Sequence, residues 1–541
     1  MSRLTLLNIS TRNQRPNRPA KILITGLVIA WLFCLFMPGS YGADSWSQFH
    51  QVTTGAYDDW FGGAFSWTWR MLWLLTGNYQ SMFVLQMVLY WVFLLLLVRR
   101  VPIRSIGFWA LLLLVAFFSF IPQYVMRDSL TSLLWGIAAL MLAEVGEGAG
   151  GNREASTGKG AHEGKVIATF LLVFGLWIRT NTVVALLPLT WLFVSPFELF
   201  KGRSSGTAVR STPAVPVPGT GSSATHGSRS GSPWLGAFGW TRRIRWKSLL
   251  LSLAVCGVFL FTAQTLTYRV IHATKAYPAF KLKLLDLTGI SKLSGENLFP
   301  PILTRYSYFH YDTLLRQYTP ASFDDIVWPP DGRPSMIPYP DAAMDSIVTR
   351  SWLSAIGRHP LLYLRNRWEG FLYYLRIRQR FKSGGYWNVS VWIEPNNALH
   401  VQQAPNDLRD WFTGMYTSLS PTCLYSPWFW LFLNTAAFAG FLYRSRRAAK
   451  KAAGSDSGVN DSVDTHSSAT HTDGHRFSAV RYWQLHAWIQ LSGVLYTLSQ
   501  FPVYQHDRDF RYSYWNVFVT LIAVAAVAGR RVYTARPKLP L

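Results

Sequence analysis

Apolar runs recur along this chain, and most are close to the length of one membrane-crossing helix. A helix needs about 20 apolar residues to cross a hydrocarbon core roughly 30 Å thick. We therefore predict an all-α polytopic membrane protein with about ten transmembrane helices. The predicted spans cover approximately 22–38, 81–98, 106–122, 129–145, 165–178, 181–199, 247–270, 426–443, 482–503 and 512–529.

The first predicted outer loop, residues 39–80, contains an apolar segment that is too short to cross a bilayer easily. It reads AFSWTWRMLWLL at 64–75 and is rich in Trp and Leu. This composition is typical of a helix that lies in the membrane interface. We predict an interfacial helix here.

The spacing of the spans divides the chain into three parts. Residues 1–270 form an N-terminal membrane module with spans one to seven, and residues 426–541 form a C-terminal module with spans eight to ten. Between them, 271–425 should be a mostly helical extracytoplasmic domain, because long loops without structure are uncommon. It includes a predicted amphipathic helix within HPLLYLRNRWEGFLYYLRIRQRF. Two connectors, 203–233 and 452–475, are rich in Ser, Gly and Thr and poor in apolar residues, which predicts disorder.

Charge supports the membrane assignment and argues against nucleic acid as a partner. Half of the residues are hydrophobic and 15% are charged, whereas roughly a quarter are charged in soluble proteins. The net charge is +25, but the basic residues crowd into alternate connections, as in the positive-inside pattern. The N-terminus should therefore be cytoplasmic and the protein should lie in the cell (inner) membrane. The basic segments are the N-terminal tail, RRVPIR, RRIRWK, RSRRAAKK and RRVYTARPK.

Charged side chains embedded in aromatic or apolar sequence occur in four predicted outer connections. Asp44 closely follows span one in PGSYGADSWSQFH and has no Lys or Arg near it in sequence; Asp58 and Asp59 follow in the same loop. The later outer turns supply Arg127 and Asp128, then Arg179 and Asn181, then Arg508 and Arg511.

Such groups are costly near membrane depth and usually face a cavity lined by protein. Four connections with this pattern predict one shared site on the extracytoplasmic side. A structural role is the alternative for each residue. Arg127 with Asp128 would cap span four, Arg179 would reach lipid head groups, and Asp44 would be a solvated loop acid.

These residue types suit group transfer from a lipid-linked phosphate. A carboxylate beside a bound hydroxyl acts as a general base. Guanidinium groups bind phosphate and offset its charge as it leaves. Tyr and Trp offer flat faces to sugar rings, and apolar helices form a groove for a lipid tail.

An Asp soon after span one, an aromatic interfacial helix and an Arg-Asp pair at the next outer turn resemble the GT-C superfamily of integral-membrane glycosyltransferases. The stretches LLDLTGISKLSGENLFPPIL at 284–303 and RHPLLYLRNRWEGFL at 358–372 are similar to uncharacterised bacterial members of that kind. The resemblance implies a polyprenyl-phosphate-linked sugar as donor and inverting transfer to a surface glycan or glycolipid, such as lipopolysaccharide.

The resemblance also implies roles for individual residues. Asp44 would be the catalytic base, with Asp58 and Asp59 as rivals in the same loop. The donor phosphate or substrate would be bound by residues of the later outer turns, namely Arg127, Asp128, Arg179, Asn181, Arg508 and Arg511. The loop lacks a D-x-D or E-x-D pair around Asp44, so we expect neither a metal nor another cofactor.

Two other functions remain open as interpretations of the sequence. A glycan polymerase or ligase of the O-antigen type would rely on the Arg-rich late loop instead of Asp44; its arginines are Arg358, Arg365, Arg367, Arg376, Arg378 and Arg380. A transporter or flippase would show repeated halves or helices broken at mid-membrane, and neither is evident in the sequence.

Overall fold

A computed structural model of the chain describes residues 18–99, 101–148, 159–194, 246–321, 340–377, 393, 399–402, 404–454, 469–503 and 510–534. Regular structure in these ranges is helical, and strand-like pairing is limited to three isolated bridges. The α-helices are α1 (Arg18–Phe36), α2 (Ala43–Thr54), α3 (Ala64–Thr76), α4 (Ser81–Val98), α5 (Ile106–Phe117), α6 (Phe120–Gln123), α7 (Arg127–Gly148), α8 (Lys159–Ile178), α9 (Val183–Val194), α10 (Trp246–Thr265), α11 (Ala279–Ser294), α12 (Pro301–Thr304), α13 (Tyr311–Gln317), α14 (Ala342–Arg358), α15 (Pro360–Tyr374), α16 (Asp407–Leu419), α17 (Pro427–Gly454), α18 (Ala469–Leu498) and α19 (Tyr514–Thr534).

Local sequence explains where several of these helices begin and end. The side chains of Ser105, Asp341 and Asn406 each accept a hydrogen bond from a backbone N–H in the first turn of the helix that follows, which satisfies a donor that the helix itself leaves unpaired. Gly55 and Gly77 end α2 and α3 in the left-handed conformation, which glycine adopts without a steric penalty. The predicted interfacial segment 64–75 is thus a helix.

Within the described residues, six helical stretches are long and apolar enough to cross a membrane, judged by length and composition. Each coincides with a predicted span; they are Arg18–Phe36, Ser81–Val98, Ile106–Gln123, Arg127–Val145, Trp246–Val270 and Phe510–Gly529. A seventh arises if His162–Ile178 and Thr180–Leu192, which are bent by 119° at their junction, count as one span.

The prediction of ten spans is therefore not confirmed. Predicted spans 165–178 and 181–199 correspond to the bent pair, and those at 426–443 and 482–503 lie in α17 and α18, which are not among the six. For α18 the physical reason is a row of buried polar side chains that lowers its mean hydropathy, including Gln484, His486 and Gln490.

Contacts between helix termini define two ends of the bundle. At one end, the Lys21 ammonium donates to the carbonyl oxygens of Val98 and Arg99, at 3.1 and 2.7 Å. The Arg99 guanidinium also pairs with the Glu144 carboxylate at 2.7 Å. The basic start of α1 therefore lies beside the ends of α4 and α7. At the opposite end, Asp44 and Arg511 meet.

A helical unit that we call the insert (residues 271–321 and 340–377) packs on that second end. Its own core is formed by apolar side chains of α11 to α15, including Leu287, Leu303 and Val348. A smaller cluster of Phe371, Tyr374, Leu375 and Tyr512 joins α15 to the chain just before α19. The insert lies within the predicted extracytoplasmic domain 271–425, and its described part is mostly helical as expected.

The two connectors predicted to be disordered fall largely outside the described residues. The segment 203–233 lies wholly outside them. Helix α17 ends at Gly454 and α18 begins at Ala469, so helix covers both ends of the 452–475 segment, contrary to the prediction for those positions.

Candidate functional site

Asp44 lies in the first turn of α2 and forms an ion pair with Arg511. The negative charge is favourable there because helix N-termini carry a partial positive charge. The Asp44 side chain is 35% exposed and that of Arg511 is 12% exposed, so the pair lies at an opening to solvent. Asp44 has no Lys or Arg near it in sequence, but folding brings Arg511 to it from 467 positions further along the chain.

Arg179 and Asp128 form a second ion pair, and both side chains are almost fully buried. Arg179 lies at the break between α8 and α9, where its Nε donates to Asn181 Oδ1 at 3.1 Å. The alternative that Arg179 reaches lipid head groups is wrong, because its side chain is only 2% exposed. Asp128 is in the first turn of α7, so it both favours that helix terminus and neutralises Arg179.

Arg127 connects the predicted first outer loop to the start of α7. Its Nη1 donates to the carbonyl oxygen of Trp60 at 3.0 Å, and its charge interacts with Arg511, Asp44 and Asp58. Gly62 lets the same loop approach the end of α8, because a Cβ there would lie 2.8 Å from the carbonyl oxygen of Ile178 and the backbone has a φ of +69°. Only glycine adopts that backbone at so close a contact without strain.

Tyr512 connects the two ion pairs. The guanidinium carbons of Arg179 and Arg511 lie 4.9 and 5.3 Å from the centre of its ring, within the range of cation–π attraction. We use the name arginine cluster for the set Asp44, Arg127, Asp128, Arg179, Arg511 and Tyr512. With all groups ionised, three guanidinium groups face two carboxylates, which leaves one positive charge.

The structure brings together Asp44, Arg127, Asp128, Arg179 and Arg511, which come from the connections predicted to lie on one side of the membrane. Asn181 joins them through Arg179. Arg508 lies outside the described residues. Tyr512 was not predicted, although it follows Arg511 directly in sequence and an aromatic residue beside a paired arginine is a usable signal.

The two rival acids of the first loop have backbone partners. Asp58 Oδ1 accepts from the N–H groups of Trp60 and Phe61, at 3.0 and 3.3 Å. Asp59 accepts from the Tyr268 hydroxyl at 2.8 Å and from the N–H of Ala276 at 2.6 Å. Both carboxylates therefore shape the loop, and Asp59 fastens it to the chain that leaves α10.

A second polar cluster lies inside the insert, and the residue patterns did not predict it. The buried Asp286 carboxylate accepts from Arg367 Nη2 at 2.6 Å and from Trp352 Nε1 at 2.8 Å. Burial raises the pKa of Asp286, and Arg367 acts against that shift. Next to it, the Tyr318 hydroxyl donates to Asn366 Oδ1, and burial raises the pKa of Tyr318 well above its ordinary value.

Asp286 and Arg367 each come from one of the two stretches, 284–303 and 358–372, that carried the family resemblance. An acid inside the apolar pattern LLDL was the available signal. The pair also reaches the arginine cluster indirectly, because the Tyr374 hydroxyl at the end of α15 donates to the carbonyl oxygen of Tyr512 at 3.2 Å. Helix α15 thus connects the interior of the insert to the bundle end.

The described residues contain no group of three or more His, Cys, Asp or Glu side chains placed to hold a metal ion. What the arginine cluster offers is a partly open carboxylate beside several guanidinium groups and an aromatic ring. That combination suits an anion such as a phosphate, together with a group that gives up a proton. Comparison of the chain with protein-family models, with curated proteins and with solved structures gives no match.

Proposed function

We propose that this protein is a membrane glycosyltransferase that moves a sugar from a polyprenyl-phosphate donor to a surface glycan or glycolipid. Asp44 acts as the general base, and the transfer inverts the anomeric centre. The observation that supports the proposal is the meeting of Asp44 with Arg127, Arg179 and Arg511 around Tyr512 at one end of the bundle.

The charges of the cluster suit an anionic donor. Arg179 is neutralised by the buried Asp128, whereas the Asp44–Arg511 pair is partly open to solvent. A phosphate that enters there competes with Asp44 for Arg511, and the extra positive charge of Arg127 favours it. Charge-assisted bonds from guanidinium to phosphate are strong and directional.

The exchange of partners at Arg511 explains how Asp44 can act as a base although it is paired with a guanidinium group. A carboxylate paired with a guanidinium is a weak base, because the positive charge stabilises its ionised form. When the donor phosphate takes Arg511, Asp44 is released to accept a proton from the acceptor hydroxyl. The ion pair thus keeps the base inactive until the donor is bound.

The transfer step is a displacement at the anomeric carbon of the donor sugar. The acceptor oxygen forms a bond to the anomeric carbon as its proton passes to the Asp44 carboxylate. The bond from the anomeric carbon to the phosphate oxygen breaks, and its electron pair stays on the phosphate. Arg511 and Arg127 offset the charge that develops there.

The proposal places the site on the periplasmic face of the inner membrane. The basic start of α1, with Lys21 beside Arg99, lies at the other end of the bundle, and basic termini favour the cytoplasm. The isoprenoid tail of the donor would lie against the lipid-facing helices, and the insert would cover the sugar and the acceptor.

The test combines gene deletion with complementation by variants, and mass spectrometry of the surface glycan. Asp44→Asn should leave the glycan short of one sugar while the protein level stays normal, because a general base contributes about 10²- to 10⁴-fold to the rate. Asp407→Asn is the matched control, since Asp407 is also an acid in the first turn of an exposed helix, α16. A complete glycan with Asp44→Asn would refute the role of Asp44.

The same experiment distinguishes a glycosyltransferase from a glycan polymerase or ligase. Loss of chain length rather than of one sugar would support the polymerase or ligase. Two of the arginines on which the polymerase or ligase hypothesis relies have partners within the protein. Arg367 pairs with Asp286, and Arg376 Nη1 donates to the carbonyl oxygen of Ser420 at 2.9 Å. Arg378 and Arg380 lie outside the described residues.

One observation favours a second candidate, transport of a lipid phosphate across the bilayer. The bend of 119° between His162–Ile178 and Thr180–Leu192 interrupts an apolar segment at Arg179, and broken helices bind anionic substrates in transporters. Transfer of a labelled polyprenyl phosphate between the leaflets of vesicles containing the protein, without any acceptor, would support transport over glycosyl transfer.

A further inference from the structure

Helices α14 and α15 carry several exposed apolar side chains. Leu353, Leu361, Leu364 and Trp368 are 56%, 77%, 48% and 52% exposed. The spacing of three and four residues keeps Leu361, Leu364 and Trp368 on one side of α15, and Leu353 lies near the end of α14. We call this set the apolar stripe. Exposed groups of this size usually mark an interaction surface.

The same two helices carry three exposed arginines, namely Arg350, Arg358 and Arg365. Acids also lie on or near these helices: Glu296 is 4.0 Å from Arg358, and Glu369 follows Trp368 in α15. The other face of the two helices is occupied by the core of the insert and by the Asp286–Arg367 pair. The free face therefore combines Leu and Trp with positive charge, the composition of helices that lie on anionic membrane surfaces.

The apolar stripe is continuous with the surface of the helix bundle. The ring of Trp368 lies 6.2 Å from that of Phe371, which in turn lies 5.7 Å from that of Phe501, just after α18. Leu431 of α17 packs against the same cluster, and the following residue, Phe432, is exposed. The stripe thus begins where the exposed apolar surface of the bundle ends.

We propose that the apolar stripe docks on the membrane surface, with Leu361, Leu364 and Trp368 at the boundary between head groups and acyl chains. The three arginines of the same two helices contact the phosphate groups of anionic phospholipids. Trp is favoured at this depth because it is apolar with one polar atom. Docking anchors the insert to the bilayer beside the bundle, and it is independent of the reaction proposed above.

The test measures the environment of a label on the stripe. Cys34 and Cys423 are the exposed cysteines among the described residues, so both are replaced by Ser and a single Cys is introduced as Leu364→Cys. The purified full chain carries an environment-sensitive fluorophore there and is reconstituted in vesicles of phosphatidylcholine, with or without phosphatidylglycerol. Thr304→Cys is the matched control, because Thr304 is exposed in a different helix of the insert, α12.

We expect blue-shifted emission from position 364 and several-fold stronger quenching by head-group-proximal nitroxide lipids than from position 304. The quenching should increase with phosphatidylglycerol, and Arg358→Gln with Arg365→Gln should reduce that increase. Equal, weak quenching at both positions would overturn the proposal. So would a blue shift that depends on protein concentration and is insensitive to the nitroxide lipids, since that result indicates self-association through the stripe.

Discussion

The Asp286–Arg367 pair allows the sharpest test of the fold, through the substitution Arg367→Met. Methionine keeps most of the buried stem and removes the charge, so Asp286 is left buried with the neutral side chains of Trp352 and Asn366 as its partners. The side chains of Arg367 and Asp286 are almost fully buried, at 3% and 0% exposed. Removing one partner of such a pair typically costs about 3–5 kcal/mol.

The assay is amide hydrogen exchange of the purified full chain, read for α11 and α15, because exchange reports the local opening free energy. The expected cost corresponds to exchange about a hundred- to a few thousandfold faster in these two helices. Arg365→Met is the matched control. It lies on the exposed face of the same helix and should change the free energy by about 0.5 kcal/mol or less.

A double variant tests whether the cost comes from the buried charge. Asp286→Asn combined with Arg367→Met removes both charges and keeps an acceptor for Trp352, so most of the protection should return. Equal exchange rates in Arg367→Met and Arg365→Met, or no recovery in the double variant, would refute the reasoning.

The effect of Arg367→Met should also depend on pH. Burial raises the pKa of Asp286 and Arg367 lowers it, so the substitution raises that pKa further. A carboxyl with a raised pKa in the folded state is most favourable when protonated, and its contribution is lost as pH rises through that pKa. The destabilisation should therefore be smaller at mildly acidic pH than at neutral pH, and equal values at both would contradict this account.

Two glycine substitutions give further predictions, both measured by thermal unfolding of the purified protein. Gly289→Ala should destabilise by about 1–3 kcal/mol, because a Cβ there would lie 2.3 Å from Asn366 Oδ1; Gly357→Ala, with no atom within 4 Å, should be neutral or slightly stabilising. Gly175→Ala should destabilise by a similar amount, about 1–3 kcal/mol, because its Cβ would lie 2.5 Å from Trp135 Nε1. Unfolding temperatures equal to that of Gly357→Ala would contradict either prediction.

The two polar clusters give the insert a role beyond covering the bundle. The Asp286–Arg367 pair fixes α15 within the insert, and the end of α15 contacts Tyr512 through Tyr374. Tyr512 in turn packs against two guanidinium groups of the arginine cluster. Helix α15 therefore connects the Asp286–Arg367 pair to the ring that packs against Arg179 and Arg511.

Several features followed from the sequence because they depend on local composition. Six of the predicted spans coincide with long apolar helices, since backbone hydrogen bonds within an apolar segment are satisfied by helix alone. The helix at 64–76 was predicted for the same kind of reason. The spans predicted in α17 and α18 are not confirmed, because polar residues that are buried between helices, such as Asn434 and Gln490, lower the mean hydropathy of these two helices.

The arginine cluster shows the same division between sequence and structure. The sequence by itself determined which charged residues lie at the ends of apolar helices, because such residues stand out against their neighbours. Only the tertiary structure decided their partners. Asp44 was unpaired in sequence and is paired with Arg511 in space, and Asp286 meets Arg367 across 81 positions. Charge pairing depends on distances of a few ångströms, and those distances are set by helix packing rather than by position along the chain.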